Sequence, residues 1–124
     1  DRGSTSLELA IVFPVLLVLI TAVIQYGLWF HARSVALTAA EEGVTAARTT
    51  GAHTGAGTDR ALAFGAEHGS ASLLDPAAHQ TATAAEVTVT VTGRSLAVLP
   101  GLAMAVTGTA SGPVERLTTP EDAP

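Results

Sequence analysis

GSTSLELAIVFPVLLVLITAVIQYGLWF, residues Gly3–Phe30, opens with a short polar lead and one glutamate, Glu8. An apolar run follows, interrupted only by Pro14, Thr21, Gln25 and Gly27. Between Leu9 and Ala32 there is no Asp, Glu, Lys or Arg. A helix rises about 1.5 Å per residue and a bilayer core is about 30 Å thick, so about 20 apolar residues cross it. The run therefore predicts a membrane-spanning helix over about residues 9–30. A cleaved secretory signal has an apolar core of only about 7–15 residues and ends at a small-residue cleavage site. Here the apolar character continues into Tyr26, Trp29 and Phe30, aromatics suited to a membrane–water interface. A retained anchor is the expectation.

Two residues in the run carry more than length. Pro14 has no N–H for the Ala10 carbonyl and tends to kink the helix, a defect that membrane helices tolerate. It reads either as a harmless kink or as a soft point that lets the first turns bend when the helix leaves the bilayer. Glu8 is also open to two readings. A carboxylate at a helix N-terminus is favoured by the helix dipole, whereas an acid inside a membrane is costly and calls for a partner.

GSTSLE followed by LAIVFPVLLVLI resembles the N-terminal signature of Tad-type (type IVc, Flp-like) prepilins and, more closely, that of the TadE-like pilin or pseudopilin family. Gly3 matches the glycine before the family's processing site. Ser4 would then be the new N-terminus, Glu8 the fifth residue after the cut, and Pro14 the family's early proline. The continuation QYGLWFHARSVALTAAEEGVTAAR resembles the family's aromatic–Gly step, basic residue and Ala-rich helix. The resemblance spans about Arg2–Arg48. The chain begins at Asp1 without an initiator Met, so upstream residues are expected to have been removed or omitted. Both Asp1 and Ser4 are open as mature N-termini, and only the second makes Glu8 the fifth residue.

The resemblance implies a life in two environments. A membrane-embedded aspartyl prepilin peptidase would cut on the cytoplasmic side, leaving the subunit in the inner membrane with its C-terminal part outside. An ATPase-driven pilus assembly platform would then move it into an extracellular filament. There the apolar helix would pack against copies of itself and other pilins, and Glu8 would pair with the Ser4 amine of a neighbour. Such a buried pair fixes register more than it adds stability. The filament would serve adhesion, surface attachment or DNA uptake. Main shaft subunit and minor component are both open; family major pilins are usually shorter, which favours the second. Arg2 precedes the apolar run and Arg33 follows it, so the distribution of basic residues gives no orientation.

Beyond the run, roughly ninety residues leave room for one small domain. The chain is 48% hydrophobic but only 4% aromatic, so that domain must pack with small aliphatic side chains, which bury little area each. One continuous helix is expected from Ser6 to Thr49. Ala36, Ala40, Gly43 and Ala47 form a small-residue ridge on it, either ordinary alanine helix propensity or a surface for close helix packing between subunits. Glu41 and Glu42 read as solvated, or as inter-subunit partners of Arg48 or Arg33. Residues 51–85 read as a loop-rich connector. In it, Gly51–Thr58 is a linker, and a short helix over about 59–68, capped by Thr58 or Asp59, makes its apolar contacts through Leu62 and Phe64. Asp75–Pro76 marks a turn, and Ser70–Ala85 carries no assignable structure.

Residues 86–117 read as a small antiparallel sheet. Glu86–Thr92, EVTVTVT, alternates strictly and is the clearest strand. Arg94–Leu99 is a second strand or a loop, Pro100–Gly101 a turn, and Leu102, Met104 and Val106 alternate into a strand running to Ala110. Gly112–Pro113 breaks it, Val114–Leu117 adds a short strand, and residues 118–124 read as a flexible tail. So small a sheet needs cover, and the second half of the long helix is the obvious cover. The fold class is therefore α+β, a long N-terminal helix carrying a small antiparallel sheet, as in pilins.

Little in the chain points to chemistry. It has no cysteine and no lysine, which removes disulfides, thiolate metal sites and the phosphate-binding G-x-x-x-x-G-K-[ST] loop. The four histidines stand apart without a carboxylate cluster, and no G-x-S-x-G occurs. Six scattered arginines against a net charge of −5 form no basic stripe for nucleic acid. The expectation is a structural protein with no enzyme activity and no cofactor. The rival is a single-pass membrane-anchored binding or pilus-assembly protein that does not polymerise.

Overall fold

The computed structural model describes residues 2–49, 52–99 and 101–114. A single helix, α1, runs from Arg2 to Arg48. It is followed by α2 (Ala56–Gly69) and three strands, β1 (Leu73–Ala82), β2 (Glu86–Ser95) and β3 (Ala105–Pro113). The strands form one antiparallel sheet in the order β1-β2-β3. The fold is α+β with a long N-terminal helix, as the hydropathy and alternation predict. Helix α1 passes unbroken through Pro14. Its threonines Thr21, Thr38 and Thr45 donate to the carbonyls of Leu17, Ser34 and Glu41 one turn back, which satisfies their hydroxyls inside the helix.

The core lies between the second half of α1 and one face of the sheet. Ala32, Val35, Ala36, Ala39, Ala40 and Val44 of α1 meet Val87, Val89 and Val91 of β2 and Val106 of β3, with Ala61 of α2 and Leu73 of β1 at the flank. The alternation of β2 sorts its valines inward. Its threonines face outward, where Thr88 pairs with Ser111 (2.8 Å) and Thr90 with Thr109 (3.3 Å) across the strands. Such cross-strand pairs fix register.

The layers approach closely because glycine stands where they touch. A Cβ on Gly43 would lie 2.7 Å from the Gly57 carbonyl oxygen, and one on Gly57 2.9 Å from that of Gly43. Helices α1 and α2 thus cross backbone on backbone. On the other side, a Cβ on Gly108 of β3 would lie 2.6 Å from Leu37 Cα. The strand is seated directly on the α1 main chain.

The structure departs from the sequence expectations in the connector and at strand ends. Helix α2 begins at Ala56 behind Gly55 (φ 85°) rather than at a Thr58 or Asp59 cap. Its buried face is Ala56, Gly57, Ala61, Gly65 and Gly69, while Leu62 and Phe64 are half-buried. A helix so close to α1 accommodates only small residues in between. Residues 70–85, expected to be irregular, hold β1. The Asp75–Pro76 turn is a bulge within that strand: register shifts between Leu74 and Ala77, Asp75 has φ 50°, and its carboxylate accepts from Arg94. Strand β3 starts at Ala105, so Leu102 and Met104 fall in the β2–β3 loop. Val114 lies just past β3, its N–H donating to the Ala85 carbonyl (3.0 Å). The rest of the expected Val114–Leu117 strand and the 118–124 tail lie outside the described residues.

Candidate functional site

The first half of α1 has no cover. From Gly3 to Ile24 every residue is exposed except Thr21, which is half-covered. The large side chains from Leu7 to Ile24 stand open all round the helix. A helix apolar on all sides belongs in lipid or in a protein interior, because water-exposed apolar surface of this extent is unfavourable. It is long and apolar enough to cross a membrane. Two shallow apolar grooves run along it, one between Leu19, Ile20, Val23 and Ile24, the other between Pro14, Val15, Val18 and Leu19.

The residues singled out in the sequence separate into two groups. Gly3, Ser4 and Glu8 are exposed in the first turns of α1. Ser4 and Glu8 are four residues apart and hence on one face of the helix. No ion pair among the described residues involves Glu8. The second group, the ridge Ala36, Ala40, Gly43 and Ala47, is turned inward. Ala36 and Ala40 are fully buried, Gly43 meets Gly57, Ala61 and Val89, and Ala47 lies beside Gly57. The ridge packs α1 against its own head. The acids behave similarly. Within the chain Glu42 accepts from Arg60 of α2 at 3.3 Å, and Glu41 is exposed. Arg48 instead donates to the Pro113 carbonyl (2.7 Å), and Arg33 lies over the Trp29 ring at 6.0 Å.

Between the two halves of α1 is a junction that sequence reading does not identify. Gln25, seen in the sequence only as an interruption of the run, is buried. Its Nε2 donates to the Leu96 carbonyl at 3.0 Å and approaches that of Leu102 at 3.5 Å, and its Oε1 accepts from the Val98 N–H at 2.9 Å. One turn on, Trp29 Nε1 donates to the Ala105 carbonyl at 3.3 Å. Tyr26 packs beside Trp29 and Phe30, ring centroids 6.0 and 6.4 Å away. One amide and one indole thus fasten the β2–β3 loop to the helix where the helix leaves the head. The signal was present in the sequence: a lone amide in an apolar run needs partners for both ends of its side chain. Among the described residues, no group of His, Asp or Glu is placed to hold a metal ion.

No curated protein and no solved structure matches the chain. The family model described as TadE-like protein matches residues 3–45, a stretch that takes in the bare half of α1, the Gln25–Trp29 junction and most of the helix packed in the head. Over that N-terminal third and more, the chain is similar to the TadE-like family.

Proposed function

We propose that the protein is a structural subunit of a Tad-type pilus, a pilin or pseudopilin held in the inner membrane by residues 9–30 and assembled through that helix into an extracellular filament. The observation that carries this reading is the contrast within α1: one half is packed against the head, the other is apolar on every side and bears a single acid, Glu8. Lipid suits the apolar surface before assembly, and copies of the same helix suit it afterwards. The TadE-like match suggests a Tad pilus-associated protein, and that family is structural rather than catalytic.

In this scheme the prepilin peptidase cuts between Gly3 and Ser4. The freed Ser4 amine of one subunit pairs with Glu8 of another, which compensates a carboxylate that would otherwise be buried alone. Pro14 leaves the Ala10 carbonyl without its helical donor and softens the helix during transfer to the assembly platform. The small head rides on the outside, available for attachment or DNA uptake. A non-polymerising anchored assembly protein is the second reading. It is favoured by the inward-facing ridge, which packs α1 against its own head and not against a neighbour.

Imaging of surface-sheared material separates the two. Filaments with residues 3–30 in the core support the subunit reading, and a chain recovered only as membrane-bound monomer with an uncut N-terminus refutes it. Glu8→Ala is expected to leave membrane insertion intact and to abolish filament yield. Wild-type yield from that variant would remove the role given to Glu8.

A further inference from the structure

The β2–β3 loop, residues 96–104, reads LAVLPGLAM and contains no charged or polar side chain. Val98, Leu99, Leu102 and Met104 are 46%, 45%, 45% and 41% exposed. Among the described residues of the head, the other exposed large aliphatic side chain is Leu37. The loop is pinned to Gln25 by three hydrogen-bonding contacts and reaches Trp29 through Ala105. It therefore stands level with the Tyr26–Phe30 aromatics, the part of α1 chemically suited to a membrane interface.

Length places the loop deeper still. The bare apolar stretch between Glu8 and Gln25, Leu9–Ile24, has sixteen residues and rises only about 24 Å, short of the ~30 Å hydrocarbon core. Keeping Glu8 at the far interface, where it avoids the cost of a charge in lipid, draws the turns around Gln25 and Trp29 toward the near leaflet. The loop fixed to them goes with them. Gln25 can enter because its amide is already satisfied by loop backbone groups, and the Trp29 indole N–H is satisfied in the same way.

We propose that the β2–β3 loop is a second membrane-contacting element, inserted among the lipid headgroups and upper acyl chains of the leaflet next to the head. Its occupant is the lipid surface, as argued from its continuity with the apolar helix and from the shortfall in span. The inference rests on the reading of residues 9–30 as a membrane span.

The chain lacks cysteine, so single substitutions give unique labelling sites. The full chain carrying Leu99→Cys, Leu102→Cys, Val18→Cys or Ala63→Cys is labelled with an environment-sensitive fluorophore and reconstituted in phosphatidylcholine–phosphatidylglycerol vesicles. Quenching is read with lipids bearing a nitroxide near the headgroup or deep in the acyl chain, and with aqueous iodide. The expected result is deep quenching at position 18, shallow lipid quenching at 99 and 102 several-fold above that at 63, and iodide access at 63 alone. If 99 and 102 are as open to iodide as 63 while 18 is deep, the loop proposal is overturned and the span stands. If 18 escapes lipid quenching, the span reading fails and takes the loop proposal with it. Labels at 99 and 102 shielded from iodide but silent to lipid nitroxides would assign the loop to a second copy of the chain, which also overturns it.

Discussion

Gln25 shows how much one side chain organises here. Its amide serves the carbonyls of Leu96 and Leu102 and the N–H of Val98, so a loop with little hydrogen bonding of its own is tied to a helix. Replacing one partner of a buried hydrogen bond leaves the other unsatisfied, at a cost of about 1–3 kcal/mol. Gln25→Ala is therefore expected to leave the α/β content unchanged by circular dichroism while loosening the loop. The Val98 amide should exchange with solvent roughly five- to a hundredfold faster, since about 1.4 kcal/mol corresponds to one decade. Unchanged exchange at Val98 would mean that the loop is held by something other than this amide. Gln25 was visible in the sequence as an interruption, but its role was not, because its partners are about seventy residues away and are backbone groups, which no side-chain pattern announces.

At the scale of elements, legibility followed side-chain type. Helix α1 declares itself by an uncharged apolar run, and β2 by alternating valine and threonine, both of which follow from a single period. Strand β1, LLDPAAHQTA, carries neither alternation nor β-branched residues beyond Thr81, and it contains Asp-Pro. It is a strand because β2 offers an unpaired edge beside it, so pairing overrides propensity, and the Asp75–Pro76 break is absorbed as a bulge. Strand β3 begins later than its alternation suggests: the Leu102 carbonyl turns toward Gln25, and Met104 exchanges hydrogen bonds with Ser95 at the end of β2. Its seat on α1 depends on Gly108, where any side chain would strike the Ala36–Leu37 main chain. Gly108→Val is expected to push strand and helix apart and to destabilise the head by roughly 1–3 kcal/mol, as overpacking does. Thermal unfolding in detergent micelles, followed by circular dichroism, would show this as a lower midpoint with the bare half of α1 still helical. An unchanged midpoint would show that the two backbones have room to separate.

Taken whole, the molecule is one rod with a small head clasped to its far half. The α+β class was legible because the rod and one strand were. The ridge Ala36–Ala47 was only half legible: small residues every three or four positions announce close packing, but not whether the neighbour is another subunit or the same chain. The answer came from Gly57 and Gly108, glycines that mark their own close approaches only once the chain is folded. The rod has a further consequence, one of phase. Because α1 is one continuous helix from Arg2 to Arg48, the azimuth of Glu8 follows that of the head like two marks on one shaft, Pro14 adding bend but no break in the winding. Inserting a single alanine after Ala22 turns Glu8 by about 100° relative to the sheet, while deleting Val18 in the same chain turns it back and restores the length. If the azimuth governs assembly, the insertion alone should sharply lower filament yield and the compensated chain should recover it. Equal yields from the two would show that assembly does not depend on the azimuth of Glu8 relative to the head.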